Sequence, residues 1–373
     1  MTLTLKEVRS RRELAQFIAF PETLYKNSPY WVPALHSDEF ATLGPRNPAL
    51  EFCERALYLA VRDGDIVGRV AAIINHRANE RWKEEVVRFG WIDFIDELDV
   101  VRLLIDAVAA WGKQRGCTKI KGPLGFSDLD KEGLLVEGFD HLSPFTVIYN
   151  YPYYGDRIEQ LGFVKDADWT QKIVDIPEAD IPQLQFAPLV EERFGLRCVT
   201  GMSMKEMGRR YGMALFQLIN TSFAELYEYA PLSDKQIETY LKSYIPILNK
   251  DFVSIIVDAD DHVAGFAFCV PTLSEAFRKS KGRLFPFGFI HLLKALRKTD
   301  AIDALMIGVL PQYQGKGASL LIFKYLLDSC RKYGVTRMYA NPQLETNHKV
   351  QSIFDGLMET HEFQRRRCYV RSL

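Results

Sequence analysis

Apolar residues in the first half of the chain fall into two kinds of pattern. Short runs of continuous or alternating apolar residues predict strands, and the turn at Asp63 and Gly64 joins the first two strands into a hairpin. Apolar residues spaced three and four apart predict helices, the longest of which ends at Gly116. The predicted strands lie at 57–61, 66–76, 86–94, 118–121 and 169–176. The predicted helices lie at 98–115 and 153–161.

The second half repeats this order of hairpin, strand, long helix, strand, helix and strand. Its predicted strands lie at 196–200, 252–258, 262–270, 302–309, 337–341 and 362–371, and its predicted helices at 204–223, 317–332 and 347–357. Two copies of one α/β topology explain this order better than one large sheet. We therefore predict a first domain at 1–177, a proline-containing linker at 178–188 and a second domain at 189–373.

An insertion at 274–299 has no counterpart in the first half. It combines basic residues with aromatic ones, including Phe285, Phe287 and Phe289. Such a segment can cover a substrate site, form a contact in a homodimer or touch a membrane surface. A helix packed on its own domain explains the pattern equally well.

Composition limits the classes of partner. Of the 373 residues, 47% are hydrophobic and 25% are charged, and 47 Lys and Arg nearly balance 48 Asp and Glu, so no nucleic-acid partner is expected. The six cysteines are scattered and lack C-x-x-C spacing, which favours reduced, buried thiols. There is no apolar run of about 18 residues and no apolar signal-peptide core, so we expect a cytoplasmic protein without stable membrane insertion.

The clearest chemical motif joins the strand at 302–309 to the helix at 317–332. Pro311 ends the strand, and Gln314-Gly-Lys-Gly317 opens the helix. Glycines at a helix N-terminus let backbone N–H groups converge on an anion, and the helix dipole favours negative charge there. Leu320 stands where a dinucleotide fingerprint needs its third glycine, and Leu310 stands where a mononucleotide loop needs its first. Both of those nucleotide motifs are therefore excluded.

The run Val309-x-Pro-x-x-Gln-Gly-Lys-Gly317 closely resembles the coenzyme A signature of the GNAT acetyltransferase superfamily. Ser319 departs from the Gly or Ala of that signature, although serine is also small. The resemblance covers roughly 196–373, and the whole chain resembles an uncharacterised bacterial family of tandem GNAT-like proteins. It implies two mixed, mostly antiparallel sheets flanked by helices. The acidic stretch 93–99 replaces the loop in the first half, which implies one cofactor site per chain.

The resemblance also implies acetyl-CoA or another acyl-CoA as the cofactor. In this family the backbone amides of the loop bind the pyrophosphate, and the strand before the loop pairs with the pantetheine arm. The implied cofactor-binding residues are Gly308, Val309, Leu310, Gln314, Gly315, Lys316, Gly317, Ala318, Ser319 and Asn347.

Aminolysis of a thioester requires an amine that loses a proton and a thiolate that gains one. Many family members use a Tyr of the last helix as the acid, and Phe354 occupies the matching position here. Three other residues are candidates because they lie on or just after the strands that flank the expected thioester site. These are Glu345, Asp303 and Tyr339.

Two hydroxyl-rich or acidic clusters are candidates for binding a small-molecule or peptide amine. Aromatic packing and exposed helix acids explain these clusters as well. Their members are Tyr153 and Tyr154 in the first half and Tyr227, Glu228 and Tyr229 in the second. The histidines lack metal-ligand spacing and no G-x-S-x-G occurs, so neither a metal site nor a nucleophile elbow is predicted.

These features predict an acyl-CoA-dependent N-acyltransferase. We expect it to transfer an acyl group, most simply acetyl, directly to an amine. Phe354 and the missing first-half loop leave a non-catalytic acyl-CoA-binding or scaffold protein as an alternative. The Phe-rich insertion leaves longer acyl donors or lipid-like acceptors as another.

Overall fold

A computed structural model describes residues 2–245, 248–348, 350–351 and 357–373. The strands of the first half are β1 Leu3–Glu7, β2 Cys53–Arg62, β3 Asp65–Asn75, β4 Val86–Phe94, β5 Lys119–Gly122, β6 Leu134–Glu137 and β7 Val164–Asp175. Those of the second half are β8 Arg197–Cys198, β9 Val253–Val257, β10 Val263–Pro271, β11 Ala301–Val309, β12 Arg337–Ala340, β13 Gln343–Leu344 and β14 Thr360–Ser372.

The helices lie between these strands in the order that the repeat predicts. In the first half they are α1 Arg11–Leu24, α2 His36–Leu43, α3 His76–Trp82, α4 Leu98–Lys113 and α5 Tyr153–Gln160. In the second half they are α6 Ala187–Phe194, α7 Met204–Ser222, α8 Asp234–Tyr244, α9 Ser274–Ser280, α10 Gly288–Arg297 and α11 Ala318–Tyr333. Across the described ranges, no helix is both long enough and apolar enough to cross a membrane.

The two halves share one 14-stranded sheet, in which twelve strands follow the order β1-β2-β3-β4-β5-β14-β7-β12-β11-β10-β9-β8, β6 pairs with β14 and β13 pairs with β7. The pairs β4–β5 and β11–β12 are parallel, and the other neighbours are antiparallel. The predicted mixed α/β fold is confirmed, but the expectation of two separate sheets is wrong, because the two copies run from opposite ends of one sheet to its centre. The sequence pattern did not show that the copies join edge to edge.

The junction is an exchange of the last strand of each half. Strand β14 pairs with β5 of the first half, where Tyr369 faces Gly122, and also with β7. Strand β7 in turn pairs with β12 of the second half, where Ile173 faces Tyr339. The exchange leaves no open strand edge between the halves, which removes two edges that would otherwise be free to aggregate.

The long helices pack on the sheet with their apolar faces, which are formed by the regularly spaced apolar residues from which these helices were predicted. Helix α4 buries Val101, Leu104 and Val108 against the first half, and α11 buries Leu321 and Leu326 against the second. The predicted helix at 347–357 lies partly outside the described residues. Strands β1, β6 and β13 and helices α1, α2, α3, α6 and α8 were not predicted.

The insertion forms α9 and α10 and lies against the first half. The Gly282 carbonyl accepts a hydrogen bond from the His36 backbone N–H at 2.9 Å, and the Arg278 guanidinium donates to the Pro29 carbonyl at 2.6 Å. Phe277 packs in a small apolar cluster with Val32. The insertion therefore bridges the two halves.

Candidate functional site

The parallel strands β11 and β12 separate part of the way along β11. They pair from Ala301 to Ala304, and their last backbone hydrogen bond runs from the Asn341 N–H to the Ala304 carbonyl at 3.1 Å. Pro342 cannot donate to a ladder, and the chain turns away so that Gln343 pairs with β7 instead. Strand β10 still pairs with the opposite side of β11 as far as Val309. Among the described residues nothing pairs with this edge of β11 beyond Ala304, so a ligand that can pair with a strand could add there.

The loop after β11 presents a group of free backbone donors. Gly315 and Gly317 have φ values of +73° and +83°, which glycine adopts without strain. Across the described chain, no acceptor meets the backbone N–H groups of Gly315, Gly317, Ala318, Ser319 and Leu320. The first N–H groups of a helix have no intrahelical partner, and the helix dipole adds roughly half a positive charge there. This end of α11 therefore suits a diphosphate.

Close packing fixes the position of this loop. A Cβ on Gly317 would lie 2.7 Å from the Val190 side chain, whereas a Cβ on Gly315 would meet nothing within 4 Å. The Tyr313 hydroxyl donates to the Asp258 carboxylate at 2.5 Å, and the Gln314 amide donates to the Val309 carbonyl at 3.2 Å. The loop is held from beneath while its free donors stay accessible.

The corresponding junction in the first half has the opposite charge. Strand β4 ends at Phe94 and α4 begins at Leu98, with Glu97 and Asp99 at the helix start. Both carboxylates bind Arg62, with a distance of 2.8 Å for Asp99. Carboxylates at a helix start repel a diphosphate, so the expectation of one cofactor site per chain stays a prediction that this arrangement favours.

A cavity of about 1510 Å³ lies between the two halves. Its walls are mainly apolar and include Tyr25 and Trp91 of the first half and Met207 of the second. The open part of β11 contributes Met306 and Ile307. The open edge of β11 therefore borders the cavity at Met306 and Ile307, and the loop follows where β11 ends at Val309.

A charged loop of the first half faces this cavity and was not singled out from the sequence. Asp128, Lys131 and Glu132 make no side-chain hydrogen bond or ion pair with any described residue. Burial raises the pKa of Asp128 to about 7, raises that of Glu132 and lowers the pKa of Lys131 to about 8. The only available signal was four charges in five residues after a strand.

The charged loop is tied to both halves. The Asp130 carboxylate accepts the Phe126 N–H at 2.7 Å and the Ser127 N–H at 3.1 Å, which closes the loop on itself. Leu129 packs against the core of the second half, in the same cluster as Met306. Titratable groups of the first half thus lie in the same cavity as the open strand edge of the second.

The three predicted catalytic residues do not converge. Asp303 and Tyr339 are register partners on β11 and β12, and neither lines the cavity. Burial raises the pKa of Asp303 to about 7, and its carboxylate accepts the Thr272 hydroxyl at 3.2 Å. Glu345 pairs with Lys165 at 2.7 Å. Phe354 occupies the position where many GNAT family members have the Tyr that acts as the acid, and it lies outside the described residues.

The predicted substrate-binding residues separate into one cavity residue and four structural ones. Tyr227 lines the cavity, and its hydroxyl donates to Asp166. Glu228 pairs with two buried cations, and the Tyr229 hydroxyl donates to the Asn220 side chain at 2.6 Å. Tyr153 and Tyr154 bond within the first half, to the Phe94 carbonyl at 2.5 Å and to the Tyr25 hydroxyl at 2.7 Å.

Asn347 lines the cavity, whereas the other predicted cofactor-binding residues, at 308–310 and 314–319, do not. Lys316 is exposed, with its ammonium group 5.8 Å from the centre of the Tyr313 ring. Among side chains that can ligate a metal, Asp175, Glu359 and His361 lie together at the surface, where the Asp175–His361 ion pair at 3.1 Å accounts for two of them. The prediction of no metal site stays a prediction.

Comparison with known proteins agrees with this geometry. Residues 212–355 match the Acetyltransferase (GNAT) family. The chain is 28% identical to Protein YghO of Escherichia coli K12, over 98% of this chain and 94% of that protein. It is 27% identical to the bacterial ceramide synthase of Caulobacter vibrioides, over 100% of this chain and 98% of that protein.

A solved structure shares the two-part architecture. It is a tandem GNAT protein from the clavulanic acid biosynthesis pathway, without AcCoA, and it superimposes with a TM-score of 0.57 at 12% identity. The match covers 100% of this chain and 98% of that chain. At this identity the likeness concerns the fold alone.

Proposed function

We propose, from the premise that this chain is a tandem GNAT-like protein, that it transfers an acyl group from acyl-coenzyme A directly to an amine. The observation that carries the proposal is the open edge of β11, which lies between the cavity and the free donors at Gly315 and at 317–320. A glycine-rich helix start binds a diphosphate, and an unpaired strand edge binds an extended amide chain. Together these match the two parts of coenzyme A.

The residues present fit this cofactor at each position. The N–H groups of Gly315, Gly317, Ala318 and Ser319 would hold the pyrophosphate, and the edge from Leu305 to Val309 would hold the pantetheine amides. A side chain at 317 would collide with Val190 beneath the loop, so glycine allows the loop to keep this position. When bound, acyl-coenzyme A supplies an activated thioester carbon.

The size and character of the cavity favour a long acyl chain or a lipid-like amine over acetyl transfer. A cavity of about 1510 Å³ with mainly apolar walls exceeds what an acetyl group needs. The relative named bacterial ceramide synthase supports this choice, because ceramide is the amide of a fatty acid with a long-chain amine. Protein amines are less suited, since a peptide would bring polar backbone into this apolar space.

The expected result for an acyl-CoA series is a kcat/KM that rises with chain length. Each methylene buried on the apolar wall adds up to about 0.8 kcal/mol, so palmitoyl-CoA should exceed acetyl-CoA by at least about 100-fold. The measurement is mass-spectrometric detection of the amide formed from a long-chain amino alcohol, with a peptide amine as the comparison acceptor. A preference for acetyl-CoA would contradict the choice of donor. Saturable coenzyme A binding without any amide product would favour the non-catalytic alternative.

For the proton on the amine we propose Asp128, because it faces the cavity and its pKa lies near neutrality. General-base catalysis contributes about 10²–10⁴-fold, so Asp128→Asn should lower kcat about 100-fold with coenzyme A affinity unchanged. Glu345→Gln is the matched comparison, since Glu345 is the sequence-predicted candidate and is held by Lys165. A large loss of kcat in Glu345→Gln with none in Asp128→Asn would move the role to Glu345.

A further inference from the structure

The insertion carries a cluster of exposed apolar side chains, here termed the aromatic patch. Its members are Phe285, Phe287, Phe289, Ile290 and Leu293. Phe285 is 80% exposed and Phe287 is 70% exposed, the highest values among the large apolar side chains described. Isolated exposed apolar residues are common, but a contiguous cluster of this kind marks an interaction surface.

The aromatic patch is surrounded by positive charge. Residues 276–299 contain seven Lys and Arg and no Asp or Glu, although the whole chain has a net charge of -1. Arg283 pairs with Glu22, and Arg278 and Lys279 pair with Glu275. The remaining cations beside the patch are exposed and form no ion pair with any part of the chain that the structure describes. These are Lys281, Lys294, Arg297 and Lys298.

Helix α10 separates this surface from the cavity. Its other face carries Leu292 and Leu296, which pack with Phe277 in the cluster that joins the insertion to the first half. Leu292 and Leu284 also line the cavity. The aromatic patch and the proposed acyl site therefore lie on opposite sides of a single short helix.

We propose that the aromatic patch docks on an anionic lipid bilayer, with the phenylalanines in the interface and the surrounding cations on the headgroups. An amphipathic helix with aromatic residues on one face and Lys and Arg beside them binds such a surface, and anionic lipids strengthen the contact. A second copy of this chain fits less well. A twofold contact through the patch would bring the same unpaired cations face to face.

The docking itself stands on the patch alone, while its use rests on the proposed function. A bilayer held against α10 places long-chain substrates beside the helix that walls the cavity. Such substrates would then pass between lipid and site without crossing water. Membrane docking can prove wrong while the proposed acyl transfer is correct, and acyl transfer can prove wrong while docking is correct.

The test is sedimentation of the full chain with vesicles in the absence of any acyl-CoA. We expect strong binding to vesicles of equal parts phosphatidylcholine and phosphatidylglycerol, and at least tenfold weaker binding to phosphatidylcholine alone. Phe285→Ser with Phe287→Ser should lower the partition coefficient at least tenfold, since both rings are exposed and their loss leaves the core unchanged. Val164→Ser is the matched control, an apolar side chain 63% exposed outside the patch.

A charge variant separates the two contributions. Lys294→Glu with Arg297→Glu should abolish the preference for phosphatidylglycerol and leave the thermal unfolding midpoint near that of the wild type. Binding of the Phe285→Ser, Phe287→Ser variant at wild-type strength would overturn the proposal. So would a wild-type chain that stays in the supernatant, or a concentration-dependent dimer that the same variant abolishes.

Discussion

Replacing Gly315 with Asp should weaken coenzyme A binding about 100-fold without unfolding the second half. Gly315 has φ of +73° and open space around its Cβ position, so Asp fits with modest backbone strain. The new carboxylate would lie among the free N–H groups at the start of α11, where it competes for them and repels a diphosphate. Loss of charge-assisted hydrogen bonds together with this repulsion amounts to about 3 kcal/mol. Calorimetric titration with coenzyme A gives the affinity.

The same helix supplies the matched control. Gly334 at its other end has φ of +69° and nothing within 4 Å of its Cβ position, so Gly334→Asp introduces the same strain and charge away from the loop. We expect Gly334→Asp to bind coenzyme A within about threefold of the wild type. Gly315→Asn, which lacks the charge, should lie between the two. Equal affinities for Gly315→Asp and Gly334→Asp would show that the pyrophosphate binds elsewhere.

Replacing Glu228 with Gln should remove about 3–5 kcal/mol from the free energy of unfolding. The Glu228 carboxylate lies 2.8 Å from both the Arg88 guanidinium and the Lys121 ammonium, and all three side chains are at least nine-tenths buried. Removing one partner of a buried ion pair leaves a desolvated charge without compensation. Because Arg88 and Lys121 belong to the first half, the loss acts directly on the contact between the halves. Urea denaturation measures it.

A neighbouring acid shows what the burial contributes. Glu225 pairs with Arg81 at 3.4 Å, but its side chain is 95% exposed. Glu225→Gln should therefore change the free energy of unfolding by less than about 0.5 kcal/mol. If Glu228→Gln is as mild as Glu225→Gln, then Glu84 and Asp166, which also contact Lys121, hold the interface without Glu228.

The candidate cofactor loop could be predicted because its signals are local in sequence. The strand order at the centre of the sheet could not, because it depends on pairing between distant segments. The strand, Pro311, the two glycines and the helix lie next to one another in sequence, so their physical roles can be assigned without a structure. Strand β14 pairs with β5 and β7, which lie far away in the chain and leave no mark in the periodicity of β14. Two copies were therefore predicted, but not their shared sheet.

One missed helix did have a sequence signal. Ser10 and Glu13 form a capping box at the start of α1, with the Glu13 N–H 3.2 Å from the Ser10 hydroxyl. This spacing predicts a helix start. Helix α1 contributes Leu14 and Ile18 to the cavity wall, and Tyr25, which follows α1 directly, also lines the cavity.

The site itself could be predicted only in part because it is built from both halves. Asp128 and Glu132 reach the open strand edge through the packing of Leu129 on the second half, which sequence proximity cannot reveal. The sequence predicts Glu228 as an acceptor-binding acid because tyrosines stand on both sides of it. Its burial against two cations of the other half depends on the tertiary contact.

The account's central claim is that acyl-coenzyme A enters along β11 with its pyrophosphate on the loop. A crystal structure of the chain with a non-hydrolysable palmitoyl-coenzyme A analogue tests it most directly. We expect pyrophosphate oxygens about 3 Å from the N–H groups of Gly317 and Ser319, pantetheine paired with β11 beyond Ala304, and the acyl chain in the cavity. A ligand bound at the first-half junction near Glu97, or an acyl chain directed into solvent, would contradict the account.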